Sequence, residues 1–259
     1  MKIGIIYKEE DGIIKGTAEK VTAELKAAGH KIVETDPDFF LTFGGDGTIL
    51  RAARLSCGKG TPLLPVHMGG VGLLTEINLP NLPAALEEVK RKKYKIDERM
   101  MLEAQVLRGG KVILDGMALN DIVIGKSNIA RTVKLEAFLK DQSIADFVGD
   151  GLVISTPTGS TAYNFAVGGP ILPPHATSFT LSPICPHRAA NRSIILDEPV
   201  TIRIHKGEDI LLTIDGQKIF KLKPHDVIVV KKSKQKTRFI RLQDYNIWGL
   251  LRSKLGWTS

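Results

Sequence analysis

Phe43-Gly44-Gly45-Asp46-Gly47-Thr48 places a carboxylate between glycines, where a predicted strand gives way to a predicted helix. Phe39 to Phe43 is apolar and aromatic enough for a buried strand, and Ile49, Leu50 and Ala53 then recur at helical spacing. Glycine lets an anion approach the main chain closely, and a helix start offers N–H groups and the positive end of a dipole. That environment suits phosphate. The aspartate then has two readings: it caps the helix, or it takes a proton from a hydroxyl or holds a metal ion beside the phosphates.

With 259 residues, the chain can bury a substantial core as one large domain or two moderate ones. No apolar run reaches the length needed to span a bilayer, and the opening MKIGIIYKEEDG lacks the features of a signal peptide, so a cytoplasmic protein is expected. Cys57 and Cys185 have no CxxC partner and are expected to be free thiols. A net charge of +8 favours acidic partners, a class that includes phosphorylated small molecules. The basic runs Lys90 to Lys95 and Lys231 to Arg238 lack interleaved stacking aromatics, so they read as solvated turns and neither nucleic acid nor membrane is expected as a partner.

Lys2 to Tyr7 reads as a buried strand, and Ala18, Val21, Leu25 and Ala28 share one face of a helix closed by Gly29. Strands at Lys31 to Glu34, Phe39 to Phe43 and Leu63 to His67 continue the alternation, which predicts a Rossmann-like, mostly parallel sheet with its ligands beyond the carboxyl ends of the strands. A second glycine loop, His67 to Thr75, would emerge on the same side. It is not a dinucleotide fingerprint, because Thr75 stands where the third glycine should be; no P-loop motif is present either. Leu82, Ala85, Leu86 and Val89 make a further helix started by Asn81.

From about Tyr94 the period changes to two. Met101 to Leu107, a Gly109-Gly110 turn and Val112 to Ile124 predict a hairpin, and Val133 to Leu139 alternates as a half-buried strand. Short strands follow at 179–181, 194–196, 200–204, 210–214, 219–222, 227–230 and 238–242, so the fold class expected is an α/β domain plus a β-rich domain of layered sheets. The expected boundaries are 1–95 with a returning segment 244–259, helical over Ile247 to Leu255, and 96–243.

Gly149-Asp150-Gly151-Leu152-Val153-Ile154-Ser155-Thr156-Pro157-Thr158-Gly159-Ser160-Thr161-Ala162-Tyr163 combines a glycine-flanked aspartate, a strand and a hydroxyl-rich turn. Such a turn suits sugar hydroxyls or a base; it equally suits a helix capped by Ser160 or Thr161 and running through Ala166. Asn120-Asp121 can hold ribose hydroxyls or mark a turn, and Asp215-Gly216-Gln217 is a hairpin signal first. His187 has no partner at metal-ligand spacing.

Taken in order, these stretches resemble the bacterial NAD kinases. The resemblance covers nearly the whole chain: Gly44 to Thr48, Gly72 to Thr75, Asn120-Asp121, Gly149 to Tyr163, Gly168-Gly169-Pro170-Ile171, Pro186-His187, Asp215-Gly216-Gln217 and Lys254 to Trp257. The Gly44 to Thr48 turn is shared with lipid kinases; the run through Tyr163 is the specific part. The chain departs from the family in Asp121, one methylene shorter than the usual glutamate, in His67, and in Arg188 and Ser193.

The resemblance implies phosphorylation of the adenosine 2′-hydroxyl of NAD by ATP or another donor such as polyphosphate, with Mg or Mn. Asp46 is then the general base, and Gly44, Gly45, Gly47 and Arg51 bind phosphate. NAD is placed against Asp46, Gly47, Arg51, Asn120, Asp121, Arg131, Asp150, Thr161, Ala162, Tyr163, Asn164, Phe165, Ala166 and Gln217, in a cleft between the domains. A homodimer or homotetramer is implied, with the Ile184 to His187 connection of a neighbouring subunit completing the site. The competing readings are a lipid kinase, which would need an apolar entrance where Asp150 and Tyr163 stand, and a non-catalytic NADP sensor, which would have no need of Asp46.

Overall fold

In the computed structural model, which describes residues 1–69, 72–127, 131–242 and 246–257, the alternation of the first hundred residues builds a parallel sheet. Its elements are β1 (Lys2–Tyr7), α1 (Gly12–Ala27), β2 (Lys31–Ile32), β3 (Phe39–Phe43), α2 (Asp46–Ser56), β4 (Leu63–His67), β5 (Ile77–Asn78) and α3 (Leu82–Lys90). The strands β2, β1, β3 and β4 lie side by side, with Ile3 opposite Phe39 and Phe40 opposite Leu63. Because all run the same way, β1, β3 and β4 end together at Tyr7, Phe43 and His67. The two glycine loops therefore leave the same edge of the sheet, as the alternation predicts.

Helix α1 forms where the apolar spacing demands it. Ala18, Val21 and Leu25 are buried against Ile3, Phe39 and Leu41, and the Asp11 carboxylate accepts hydrogen bonds from the Ile13 and Ile14 N–H groups at the helix start. Gly29, at φ +81°, takes the left-handed position that ends it. Helix α3 is preceded by a short 3₁₀ turn, so Asn78 rather than Asn81 supplies the capping side chain.

The chain leaves this unit along β6 (Lys95–Arg108). It continues through β7 (Lys111–Ala118), β8 (Asp121–Lys126), β9 (Val133–Leu139), β10 (Gln142–Gly149), β11 (Gly151–Ser155), α4 (Tyr163–Ala166), β12 (Phe179–Ile184), β13 (Ile194–Leu196), β14 (Val200–Lys206), β15 (Ile210–Ile214) and β16 (Lys218–Leu222). β17 (Val227–Arg241) carries it back to the first unit, where α5 (Ile247–Leu255) lies. Unit 1 comprises residues 1–98 and 237–259, and unit 2 comprises 99–236, so the return begins seven residues before the expected 244.

Unit 2 is antiparallel. One sheet runs β13-β12-β11-β8-β15-β16; the other has β10, β9, β14 and β17 in order, with β6 on β17 and β7 on β6. Leu102, Ile124, Leu135, Ile154, Leu181, Ile202, Leu212 and Ile228 come from both sheets and share one core, which is the layered arrangement the period-two pattern implies.

Several strand readings change. Val112 to Ile124 is two strands, not one: β7 stops at Ala118 and β8 starts at Asp121 in the other sheet, because the Asp215 carboxylate takes the N–H groups between them. The Lys231 to Arg238 run is strand throughout rather than a turn, and its Lys231 reaches Glu103 at 3.0 Å. β10 escapes the sequence pattern because a bulge between Ser143 and Ala145 breaks its alternation. β2 is only two residues long, shorter than the Lys31 to Glu34 reading.

Removing the α1 cap tests how much local structure contributes to unit 1. Asp11→Ala should lower stability by about 1 kcal/mol, read as a shifted urea midpoint with an unchanged slope.

Candidate active site

The helix-capping reading of Asp46 does not survive. Gly45 occupies the N-cap position of α2 without a side-chain cap, and Asp46 is the first helical residue. Its carboxylate turns to the second glycine loop instead: Leu73 N–H donates to Oδ2 and Leu74 N–H to Oδ1, both at 3.4 Å. Two glycines make the arrangement possible. A Cβ on Gly72 would lie 2.3 Å from Asp46 Oδ1, and a Cβ on Gly44, which has φ +147°, would lie 2.3 Å from Thr48 Oγ1. The second loop is thus a seat for the aspartate. It is closed by Thr75, whose Oγ1 accepts from Gly72 N–H at 3.1 Å. Gly70 and Val71 lie outside the described residues.

Gly47 and Arg51 sit in the first turns of α2, where backbone N–H groups and the helix dipole favour an anion. The Arg51 guanidinium pairs with Glu9 at 3.3 Å on the surface, and both line an open cavity of about 710 Å³ together with Tyr7.

In unit 2, Asp215 organises the counterpart. It sits in the β15–β16 turn at φ +51°, and its carboxylate accepts from Leu119, Asn120 and Asp121 N–H at 3.2, 2.7 and 3.3 Å. Asn120 Oδ1 is buried with no hydrogen-bond partner among the described residues, an acceptor ready for a donor from outside. Asp121 is buried beside Asp215; desolvation first, and the like charge of Asp215 second, push its carboxyl up to about 7. The sequence singled out Asp215 as a hairpin signal first and as part of a family motif, but not for the main-chain N–H groups its carboxylate gathers, although an aspartate before glycine in such a turn can reach neighbouring main chain.

The motif from Gly149 to Tyr163 divides into scaffold and surface. Most of its hydroxyls face inward: Ser155, Thr156 and Ser160 are fully buried. Thr156 Oγ1 donates to Leu119 O, Ser160 Oγ donates to Pro157 O and accepts from Leu172 N–H, and Gly159 N–H donates to Thr156 Oγ1. Ser160 and Thr161 cap nothing, since the start of α4 has no side-chain cap. The helix-cap reading of this turn is therefore corrected, and the hydroxyls of Ser155, Thr156 and Ser160 are committed to their own main chain. Gly159 has a reason in space, because a Cβ there would lie 2.2 Å from Asn120 O.

Asn164 is also a scaffold residue through its side chain. Its amide donates to Ser160 O and Pro170 O and accepts from the Thr180 and Ser182 hydroxyls, with the residue fully buried. Around it, Thr161 and Ala162 are half-buried, while Tyr163, Phe165 and Ala166 are exposed. Partial burial, followed by the fields of Cys185, Asp150 and Asp121, raises the Tyr163 phenol above its ordinary range, which groups these residues about one corner of unit 2. Asp150 carries an ion pair to Lys126 at 2.7 Å, a partner the sequence did not suggest. Arg131 pairs with Glu208 on the surface, and Gln217 lies exposed beyond Asp215. The free Cys185 is exposed at φ +44° and Cys57 is buried.

Asp121 makes stability depend on pH. Its carboxyl returns to the ordinary range near pH 4 on unfolding, so its stabilising contribution is complete below about pH 4 and is lost as pH rises through about 7. A tenfold change in proton affinity is worth about 1.4 kcal/mol. Asp121→Asn should therefore melt higher than the parent by several degrees at pH 8, with the difference shrinking at pH 5; an equal difference at both pH values would contradict the assignment.

Known proteins resemble this chain along most of its length. Residues 3–94 match the ATP-NAD kinase N-terminal domain and residues 119–242 the ATP-NAD kinase C-terminal domain. The NAD kinase of Caldanaerobacter subterraneus subsp. tengcongensis is 41% identical over 84% of this chain and 78% of its own length. That of Geobacter metallireducens is 43% identical over 85% and 79%. In fold, the chain is similar to yeast NADH kinase in its complex with NADH, with a TM-score of 0.91 at 21% identity over 100% of this chain and 88% of that one. With both domain models matched in order and relatives above two-fifths identity over most of its length, this chain belongs to the NAD kinase family.

Proposed function

We propose that this chain makes NADP by transferring the terminal phosphoryl group of ATP to the adenosine 2′-hydroxyl of NAD, with Asp46 as the general base. The observation that supports the role of Asp46 most directly is its seat. A carboxylate at the start of α2 that does not cap its own helix, and is instead oriented by Leu73 and Leu74 N–H, is fixed in place to receive a proton. Phosphoryl transfer asks the protein mainly for positioning and charge stabilisation. The start of α2 supplies the latter through Gly45, Gly47 and, one turn further in, Arg51, whose guanidinium would leave Glu9 for phosphate.

Unit 2 supplies the nucleoside side of the reaction in this reading. Asn120 Oδ1, buried and without a hydrogen-bond partner among the described residues, would accept from an amide or hydroxyl of NAD, and protonated Asp121 would donate to one. Tyr163 offers an exposed ring for stacking, with Thr161, Ala162, Phe165 and Ala166 beside it. Asp150, Arg131 and Gln217 are peripheral contacts in this scheme, and Asn164 acts by holding the loop. A lipid substrate is disfavoured because the corner around Tyr163 is polar, carrying the Asp150–Lys126 ion pair and Asp121 rather than an apolar entrance.

Among the described residues no three His, Cys, Asp or Glu side chains could hold a metal ion together. Mg or Mn arriving with a nucleotide takes most of its ligands from phosphate and water, so it needs no such cluster. Such a cation, when bound, offsets the charge on the transferred group. No described helix is long and apolar enough to cross a membrane. The family resemblance supports a cytoplasmic homodimer or homotetramer, which light scattering of the purified protein would test.

Two substitutions separate chemistry from binding. Asp46→Asn should abolish NADP formation while NAD binding stays measurable by calorimetry, and near-normal turnover would remove Asp46 from the role of base. Gly72→Ala places a methyl group against Asp46 Oδ1 at a position outside the positive-φ region. It should lower kcat at least about tenfold with KM for NAD little changed.

A further inference from the structure

We propose that Arg241 is a positioning residue for Asp46, acting through the main chain of Leu74. The proposal rests on Asp46 being the base and identifies what holds the loop that holds it. Arg241 is the last residue of β17 and its side chain is 3% exposed. Its guanidinium reaches acceptors on two side chains and one main-chain carbonyl. Nε donates to Asp97 Oδ2 at 3.0 Å, and Nη1 donates to Glu76 Oε2 at 2.9 Å and to the Leu74 carbonyl at 3.4 Å. Glu76 in turn accepts from Leu242 N–H at 2.7 Å, and its own N–H donates to Pro65 O at 3.1 Å, so the loop is tied to both β17 and β4.

Leu74 joins the two side chains. Its carbonyl faces Arg241 while its N–H faces Asp46 Oδ1, so a movement of one displaces the other. Gly72 has no side chain with which to hold its limb of the loop by packing. An anchor that fixes its descending limb therefore has a purpose beyond fold stability. The energetics point the same way. Burying an arginine with two carboxylates carries a desolvation penalty, and well-packed apolar side chains commonly replace such groups without loss of stability. What apolar side chains cannot supply is a directed donor for the Leu74 carbonyl.

Arg241→Lys is the test, because it keeps the charge that Glu76 and Asp97 require while a single nitrogen cannot reproduce the fork. Leu25→Ala, a core truncation in α1, serves as a control that destabilises unit 1 without touching the loop. All measurements are made below the melting midpoints of both variants. The expected result is that Arg241→Lys lowers kcat at least about tenfold with KM for NAD within about twofold, and shifts the amide NMR signals of Leu73 and Leu74, whereas Leu25→Ala does neither. Retention of kcat and of both amide signals in Arg241→Lys would overturn the proposal, as would an equal loss of kcat in the two variants. If the parent chain itself made no NADP, the kinase reading would fail, and the amide signals alone would decide whether Arg241 sets the Leu73–Leu74 main chain.

Discussion

Two main-chain N–H groups, those of Leu73 and Leu74, meet one carboxylate, and the functional half of unit 1 depends on that meeting. It requires parallel strands that end together, so that the loop after β3 and the loop after β4 emerge side by side. It requires Gly72, since any side chain there would occupy the place of Asp46 Oδ1, and Gly44, since the turn packs onto Thr48. The glycines in this region act less by flexibility than by absence of volume. The resulting aspartate is oriented by donors whose positions are fixed by the sheet, the form of preorganisation that proton abstraction benefits from.

Unit 2 uses the same device with different parts. There a carboxylate, Asp215, collects three main-chain N–H groups and so shapes the turn that presents Asn120 and Asp121. Holding two carboxyl groups together in a buried site has a cost, visible in the raised Asp121. The hydroxyls of the Gly149 to Tyr163 motif are the scaffold around this turn, joining β11 to Leu119 and Asn120 rather than lining an open surface. Both units thus hold their chemistry through main-chain hydrogen bonds made by side chains distant in sequence.

That common feature explains what the sequence revealed and what it concealed. Period and composition were enough for the α/β unit, the layered β unit and the shared sheet edge of the two glycine loops, because those follow from which faces are apolar. The family resemblance placed the chain among NAD kinases through the run ending at Tyr163. Residue roles inside the motifs were less legible. Whether a serine faces a ligand or its own backbone depends on burial, so Ser155, Ser160 and Asn164 could not be sorted from Tyr163 by chemistry alone. Asp215, Lys126 and Arg241 act across 94 to 96, 24 and 167 residues of chain respectively, as the numbers of their partners Leu119 to Asp121, Asp150 and Leu74 show. No local spacing announces such pairs. Strand boundaries failed where a tertiary contact intervened, at Asn120, or where a bulge broke the alternation, at Ser143.

The most direct measurement is the position of the new phosphate in the product. Purified chain would be incubated with NAD, with ATP, GTP or polyphosphate as donor and with Mg or Mn, and the product analysed by phosphorus NMR. A phosphate monoester on the adenosine 2′-oxygen, formed in the presence of at least one donor, is the predicted result. NAD bound but recovered unphosphorylated with every donor, or phosphate on any other hydroxyl, would contradict the kinase assignment.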